Sequence, residues 1–263
     1  MRRTDVPFFS IVTVVKDDAA GLIRTRESLW TQSWRDFEWL CADGGSTDGT
    51  ADLLAGWAGE LAWWRSGPDG GPFAAMNETA ARARGRYLLF LNGGDRLAGP
   101  EVLAAVAAQA LGHGCPGLLY GDTLEDPGDG RPRLRPARDV RHAWYGMPAH
   151  HCALFYRCDI VAGLAYPAGY RIAADYAYTL AALARVPDPR HLRMVVAEFA
   201  PGGLSRRHPA LGRREQDRIR RDLLGMGPVS RSAIMAMQHL SSGLRRLAPA
   251  TYACIRFRNT RQG

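Results

Sequence analysis

The run Tyr87-Leu88-Leu89-Phe90-Leu91 passes directly into Asn92-Gly93-Gly94-Asp95, and that junction narrows the folds open to the chain. Five bulky residues without a polar interruption make a strand buried on both faces, the kind found at the centre of an α/β sheet. The run stops at Asn92, and two glycines permit a sharp turn. Asp95 is thereby left just past the carboxyl end of a central strand. In open α/β sheets, ligands bind at that edge. A carboxylate there can hold a hard cation such as Mg²⁺ or Mn²⁺, and such a cation neutralises a diphosphate. The competing role for Asp95 is closure of the turn alone.

The preceding residues place that strand in context. Phe8-Phe9-Ser10-Ile11-Val12-Thr13-Val14-Val15 is β-branched and aromatic and predicts a first strand. A helix is expected over 21–32. Phe37-Glu38-Trp39-Leu40-Cys41-Ala42 predicts a second strand, running into Asp43-Gly44-Gly45-Ser46-Thr47-Asp48-Gly49-Thr50, which is loop chemistry throughout. A helix to about Trp57, a short strand over 61–64 and a helix over 73–84, with Pro72 in its first turn, follow. Strand and helix alternate at least three times before Asp95, which predicts a parallel, nucleotide-binding type of sheet. Asp43 and Asp95 then fall on one edge of it.

Beyond Asp95 the pattern is looser. An alanine-rich helix is expected over 100–111, strands over 118–120, 152–156 and 194–199, and a helix over 173–185 with Asp175 in its first turn. Residues 125–141 hold three Pro, two Gly and five Arg and read as a long surface loop. Gly112-His113-Gly114-Cys115-Pro116-Gly117 spells GxGxxG, but it follows a helix and Pro116 stands where the motif must open one, so it is set aside.

Charge divides the chain unevenly. The net charge is +8, yet residues 205–263 carry 13 Arg against 3 acids while the first 204 residues carry 21 Lys or Arg against 23 acids. A near-neutral body with a basic tail argues against nucleic-acid binding by the body and for an attachment tail. Gly243-Leu244-Arg245-Arg246-Leu247 and Ile255-Arg256-Phe257-Arg258 interleave apolar residues with arginine. They predict peripheral contact with an anionic membrane surface, with a homodimer contact or a solvated helix as the competing uses. The five cysteines form no CxxC pair and read as reduced thiols of a cytosolic protein. No signal peptide and no run of transmembrane length is expected.

Four stretches together resemble glycosyltransferase family 2, over about residues 8–205. Asp43-Gly44-Gly45-Ser46-Thr47-Asp48-Gly49-Thr50 is similar to the family's Asp-Gly-Ser-x-Asp-Gly-Thr loop. Pro68-Asp69-Gly70-Gly71-Pro72-Phe73-Ala74-Ala75-Met76-Asn77 resembles its Pro-Asp-Lys-Gly-Ile-Tyr-Asp-Ala-Met-Asn. Phe90-Leu91-Asn92-Gly93-Gly94-Asp95 resembles Phe-Leu-Asn-Ser-Gly-Asp, a variant of its DxD stretch, and Ile172-Ala173-Ala174-Asp175-Tyr176 resembles the segment carrying its catalytic base. The resemblance implies a GT-A fold: α/β, with a Rossmann-like, mixed but mostly parallel sheet flanked by helices. It further implies a catalytic domain over 1–204 and a basic helical tail over 205–263.

Roles follow from the resemblance. Asp43 and Gly44 would meet the nucleoside of the donor, with Val14 and Val15 lining the base. Asp95 would hold a Mg²⁺ or Mn²⁺ on the donor diphosphate, with Asn92 and Gly94 beside it. Met76, Asn77 and His151 would lie near the donor, and Asp175 would be the general base. Plainer roles compete with each: turn closure for Asp43, core packing for Met76, helix capping for Asp175, a satisfied structural histidine for His151. The implied reaction is inverting, non-processive transfer of one sugar from a nucleoside-diphosphate sugar, a UDP-sugar first, to a saccharide or lipid-linked acceptor at the inner face of the cytoplasmic membrane.

The departures bear on metal and donor contacts. Gly94 takes the central position of the DxD stretch, so Asp95 alone offers a carboxylate; Gly70 and Ala74 replace a Lys and an Asp. Two other functions stay open. A sugar-1-phosphate nucleotidyltransferase should carry a glycine-rich loop after the first strand, where Val14-Val15-Lys16-Asp17-Asp18 stands. A non-catalytic GT-A scaffold that binds a partner would tolerate the weakened metal site.

Overall fold

The computed structural model describes residues 6–126, 130–200 and 203–247. In chain order the strands are β1 (Phe9–Val15), β2 (Phe37–Asp43), β3 (Trp63–Ser66), β4 (Tyr87–Phe90), β5 (Arg96–Leu97), β6 (Leu118–Glu125), β7 (Arg133–Arg135), β8 (Leu154–Arg157) and β9 (Pro189–Phe199). The helices are α1 (Ala19–Trp30), α2 (Thr50–Gly56), α3 (Pro72–Ala80), α4 (Val102–Gly112), α5 (Cys158–Val161), α6 (Ala174–Leu183), α7 (Leu204–Arg207), α8 (Pro209–Asp222) and α9 (Pro228–Leu247).

The strands form one sheet in the order β3-β2-β1-β4-β8-β6-β9-β5, with β7 paired to β6. β1, β2, β3 and β4 are parallel; β8 runs against them, and β6 and β9 again run with them. β5 and β7 are antiparallel to their neighbours. The sheet is therefore mixed and mostly parallel. Every residue of β1 and β4 is buried, which is what helices on both faces of a parallel sheet demand of their sequences.

The order of the strands locates the ligand crevice. From β1 the chain steps outward to β2 and β3, then returns to place β4 on the other side of β1. Connections leave β1 and β4 in opposite directions, so the gap between their carboxyl ends is the switch point of the sheet. Two side chains tie the strands together there. Trp39 Nε1 donates to Thr13 Oγ1 (2.9 Å), and Thr13 Oγ1 donates to the Leu91 carbonyl (2.7 Å), a polar chain linking β2, β1 and the end of β4.

The expected elements through Asp95 are present with ends shifted by a few residues. The later half departs further. The strand expected over 118–120 continues to Glu125, and the one expected over 194–199 begins at Pro189, because the two pair in parallel across a bulge. The long loop over 125–141 holds β7 and a single 3₁₀ turn at Val140–His142. β5 is two residues long and exists only by pairing with β9, so no local signal announces it. The tail is helical in α8 and α9, as expected; Ile255-Arg256-Phe257-Arg258 lies outside the described residues. No described helix is long and apolar enough to cross a membrane. Cys41, Cys115, Cys152 and Cys158 are free thiols, and Cys254 lies outside the described residues.

Candidate functional site

The carboxyl ends of β1, β2 and β4 are stitched to one another by their loops. Gly44 N donates to the Val15 carbonyl (2.9 Å) and Gly93 N to the Val14 carbonyl (3.0 Å). Val14 and Val15 are buried at this edge. A Cβ on Gly93 would come within 2.8 Å of Val15 Cγ2, so only glycine lets the turn lie on β1. Gly94 has φ +92, and a Cβ there would lie 3.0 Å from that of Ala200. Thr25 of α1 locks the turn: its hydroxyl accepts from Gly94 N (3.0 Å) and donates to the Asp95 carbonyl (2.7 Å).

Asp95 and its neighbours are under-bonded. The side chain is 3% exposed; its Oδ1 accepts from Ala200 N (2.8 Å), and the backbone N–H of Asn92 is a weaker partner. Across from Oδ2 stands His151 Nε2 at 3.7 Å. Burial pushes the Asp95 carboxyl up to about 7, against the smaller opposing pull of backbone N–H groups. Burial drives His151 down to about 4, so its imidazole is neutral at neutral pH and forms no ion pair with Asp95. Asn92 Nδ2 lies 2.9 Å from His151 Nε2, and Asn92 Oδ1 is buried without a hydrogen-bond partner. An orphaned amide oxygen, a partly bonded carboxylate and a neutral imidazole are a donor set that fits a hard divalent cation. No cluster of three His, Cys, Asp or Glu side chains occurs among the described residues, so one carboxylate carries the charge.

Support for His151 comes from the layer beneath. Phe199 packs face to face with His150 (4.0 Å) and edge-on to His151 (6.2 Å). His150 Nε2 is 3.2 Å from Glu125 Oε2, which also receives Arg135 Nη1 at 3.1 Å. Burial, with the Arg135 charge, holds His150 near 3.

Asp43 presents a different picture. It has no exposed surface, and its carboxylate is saturated: it accepts from Ser46 N, from Ser46 Oγ and from Ser66 Oγ (2.6 Å). It thus builds the loop that carries Gly44. A Cβ on Gly44 would meet Asp69 Oδ2 at 3.1 Å, so the loop and the Pro68-Asp69 turn lie against each other. Met76 is 3% exposed and packs in the core. Asn77 spends its amide on a clamp: Nδ2 donates to the Tyr166 carbonyl (3.0 Å) and Oδ1 accepts from Tyr166 N (2.7 Å). Gly70 and Ala74, the two departures from the family pattern, face each other and line a cleft of about 400 Å³ with Arg65, Asp69 and Glu78.

Asp175 opens α6 and accepts from Tyr176 N (2.8 Å). The side chain is partly buried, and burial raises it to about 6, with the Glu215 charge as a smaller contribution in the same direction. At neutral pH it is still largely ionised, and its basicity is better matched to proton abstraction than that of an ordinary aspartate.

Thr25, Ala200 and Glu215 act on the site and escape the sequence reading. Thr25 and Ala200 carry no chemical signal; they matter through a hydroxyl and a backbone N–H that the fold delivers. Glu215 is an acid within an arginine-rich helix, and its burial shows only in three dimensions.

Known proteins resemble this chain at two levels. The model of glycosyl transferase family 2 matches residues 10–120, which hold Asp43, Asn92 and Asp95. An uncharacterised glycosyltransferase of Mycobacterium tuberculosis strain H37Rv is 34% identical over 232 residues, spanning 87% of this chain and 86% of that one. A PGL/p-HBAD biosynthesis glycosyltransferase of Mycobacterium bovis strain BCG is 33% identical over 205 residues, spanning 76% of this chain and 79% of that one. Among solved structures, S. aureus TarS 1–349 in complex with UDP-GlcNAc superposes with TM-score 0.67 at 18% identity, covering 95% of this chain and 76% of that one. A longer TarS chain is covered over 43% of its length. The mannosyltransferase PcManGT from Pyrobaculum calidifontis, in complex with GDP-Man and Mn²⁺, gives TM-score 0.61 at 15% identity, covering 96% and 79%. These likenesses carry the GT-A fold, and the sequence relationship over most of both chains carries more: the chain belongs to glycosyltransferase family 2.

Proposed function

We propose that the protein transfers a single sugar, with inversion, from a nucleoside-diphosphate sugar to an acceptor hydroxyl, and that the donor is a UDP-sugar. The observation that carries this reading is the under-bonded group Asp95, Asn92 and His151 at the switch point of the sheet. Asp95, Asn92 Oδ1 and His151 would hold a Mg²⁺ or Mn²⁺. When bound, that ion supplies positive charge to the leaving diphosphate. The loop that Asp43 shapes, with Gly44 and the buried ends Val14 and Val15, forms the floor for the nucleoside. Asp175 takes the proton of the acceptor hydroxyl, so attack comes from the face opposite the leaving group. Met76 and Asn77 support the donor side indirectly, through the core and through Tyr166. TarS bound to UDP-GlcNAc supports the choice of nucleotide, and PcManGT bound to Mn²⁺ supports the ion.

The tail from residue 205 is proposed as the attachment element, and a lipid-linked saccharide as the acceptor. α9 exposes Val229, Met237, Leu240 and Leu247 beside a strongly basic sequence. That combination suits the anionic inner face of the cytoplasmic membrane. A relative named for PGL/p-HBAD biosynthesis supports glycoconjugate synthesis. Two measurements test the proposal. Release of UDP from UDP-sugars should require Mg²⁺ or Mn²⁺ and cease in EDTA; metal-independent release in the Asp95→Asn protein would overturn the metal assignment. Pelleting with anionic vesicles should weaken in Leu240→Glu, and equal pelleting of both proteins would overturn the membrane contact.

A further inference from the structure

Glu215 lies on α8, in the segment that the sequence marks as tail, yet it is 6% exposed. Its carboxylate accepts three consecutive backbone N–H groups, from Arg171 (2.8 Å), Ile172 (2.8 Å) and Ala173 (2.9 Å). Ala173 is the cap residue of α6 and has no side chain able to bond the open N–H groups there. A carboxylate supplied by another helix instead takes the N–H of that cap residue and of the two residues before it, and its charge sits at the positive end of the α6 dipole.

The grip has a second point. Arg220, on the same helix and 1% exposed, donates to the carbonyls of Trp144 (3.1 Å) and Tyr145 (2.6 Å). Tyr176, the residue after Asp175, donates its hydroxyl to the carbonyls of Ala143 (2.7 Å) and Trp144 (3.0 Å). α8 thus holds both the chain that enters α6 and the loop to which α6 is bound. Asp175 sits between these anchors. Two buried charges with these partners cost too much to be incidental to a solvated helix.

The geometry points to Glu215 as a positioning residue: through the backbone of 171–173 it sets the amino end of α6, and with it the aim of the Asp175 carboxylate at the acceptor. This inference rests on Asp175 being the general base. It also predicts an electrostatic effect. The titratable and charged groups on the elements around Asp175 are Arg213, Arg214, Glu215, Asp217, Arg218, Arg220, Arg221 and Asp222 on α8, Tyr156 and Arg157 on β8, Tyr166, Tyr170 and Arg171 before α6, and Tyr176 and Tyr178 on α6 itself. Of these, Glu215 is the one whose charge acts on the Asp175 carboxyl, and it raises it. Removing that charge lowers the Asp175 pKa, so the acid limb of transfer activity moves to lower pH. That shift reads the charge of Glu215, and a fall in kcat at unchanged donor KM reads the positioning of α6.

The test compares the full chain carrying Glu215→Gln, Glu215→Asp or Asp175→Asn with the parent. Transfer rate against pH, donor KM and melting temperature are measured on each. Glu215→Gln should lower kcat by roughly tenfold or more at unchanged donor KM and shift the acid limb downward. Glu215→Asp keeps the charge, so its acid limb should stay near the parent's while kcat falls less. A folded Glu215→Gln protein with parental kcat and acid limb overturns the positioning role. If Glu215→Gln does not fold, Glu215→Asp decides: lower kcat at parental donor KM supports the role, and parental kcat removes it. Loss of transfer in Asp175→Asn beside an unaffected Glu215→Gln removes the positioning role alone. Full transfer by Asp175→Asn removes the base assignment and the inference together.

Discussion

Glu38 and Asp95 are buried acids at opposite ends of the same sheet, and their surroundings differ in kind. Glu38 stands near the amino end of β2. It accepts from Ser10 Oγ (2.6 Å), from Arg84 N (2.6 Å) and from the Arg84 guanidinium (3.1 Å). Ser10 Oγ in turn accepts from Gly85 N (2.7 Å), where the chain enters β4. Asp95, at the carboxyl edge, is met by backbone N–H groups, that of Ala200 foremost, and faces a neutral histidine. Both acids are below a tenth exposed. A buried carboxylate with all its donors is structure; one held short of donors stores a demand that a ligand can meet. Asp43 shows that position alone does not sort the two kinds. It lies at the same edge as Asp95 and is saturated, as Glu38 is.

The sharpest test of that division is at Asp175, the other acid with a raised pKa. Asp175→Asn keeps the shape and loses the proton acceptor, so transfer should fall by ~10²–10⁴-fold with melting temperature and donor affinity retained. An active Asn protein, with loss appearing only as lower thermal stability in Asp175→Ala, would move Asp175 to the structural class. Next comes Asp95→Asn, which should weaken metal-dependent donor binding by roughly 10–100-fold, read by calorimetry with and without Mn²⁺. Because ion binding must displace the Asp95 proton, the parent's metal-dependent affinity should also drop as pH falls below about 7.

Glu38→Ala should do the opposite of both. It leaves Ser10 and Arg84 without their acceptor and should cost about 2–3 kcal/mol of stability while kcat is kept. Chemical denaturation and steady-state rates check it, and a loss of kcat in fully folded protein would break the contrast. The smallest effect is the pH dependence of stability at Asp95. Its folded pKa, about 7, lies above the unfolded value, so the native state binds the extra proton. In EDTA, this group's contribution to stability is fully present at low pH and declines as pH rises from about 4 to 7. Asp95→Asn removes the penalty on the ionised form, so its melting temperature should exceed the parent's more at pH 8 than at pH 5. The reverse ordering would show that Asp95 is not held short of donors.

Much of the carboxyl edge of the sheet could be read from the chain because its parts are contiguous. A strand and the loop that leaves it are neighbours in sequence, so Tyr87-Leu88-Leu89-Phe90-Leu91 and Asn92-Gly93-Gly94-Asp95 declare each other. The same holds for β2 and the loop from Asp43. Asp175 is singled out through resemblance alone, since a lone acid in a first helical turn is ordinary. The extent of β6 and β9 and the existence of β5 and β7 were not readable, because each depends on a partner far along the chain.

The sequence by itself determined the order of strands and helices up to Asp95, the edge on which Asp43 and Asp95 fall, the family, and the basic character of the tail. Those are properties of side-chain pattern and backbone turn chemistry, which act over a few residues. Tertiary structure decided which acids are saturated and which are not. Ser66 and Ser46 close around Asp43, Tyr166 takes up Asn77, Ala200 offers Asp95 a single N–H, and Glu215 leaves the tail to cap α6. Whether a buried charge is structural or reactive depends on the donors within about 3 Å of it, and the chain brings those donors from elements that sequence proximity does not connect.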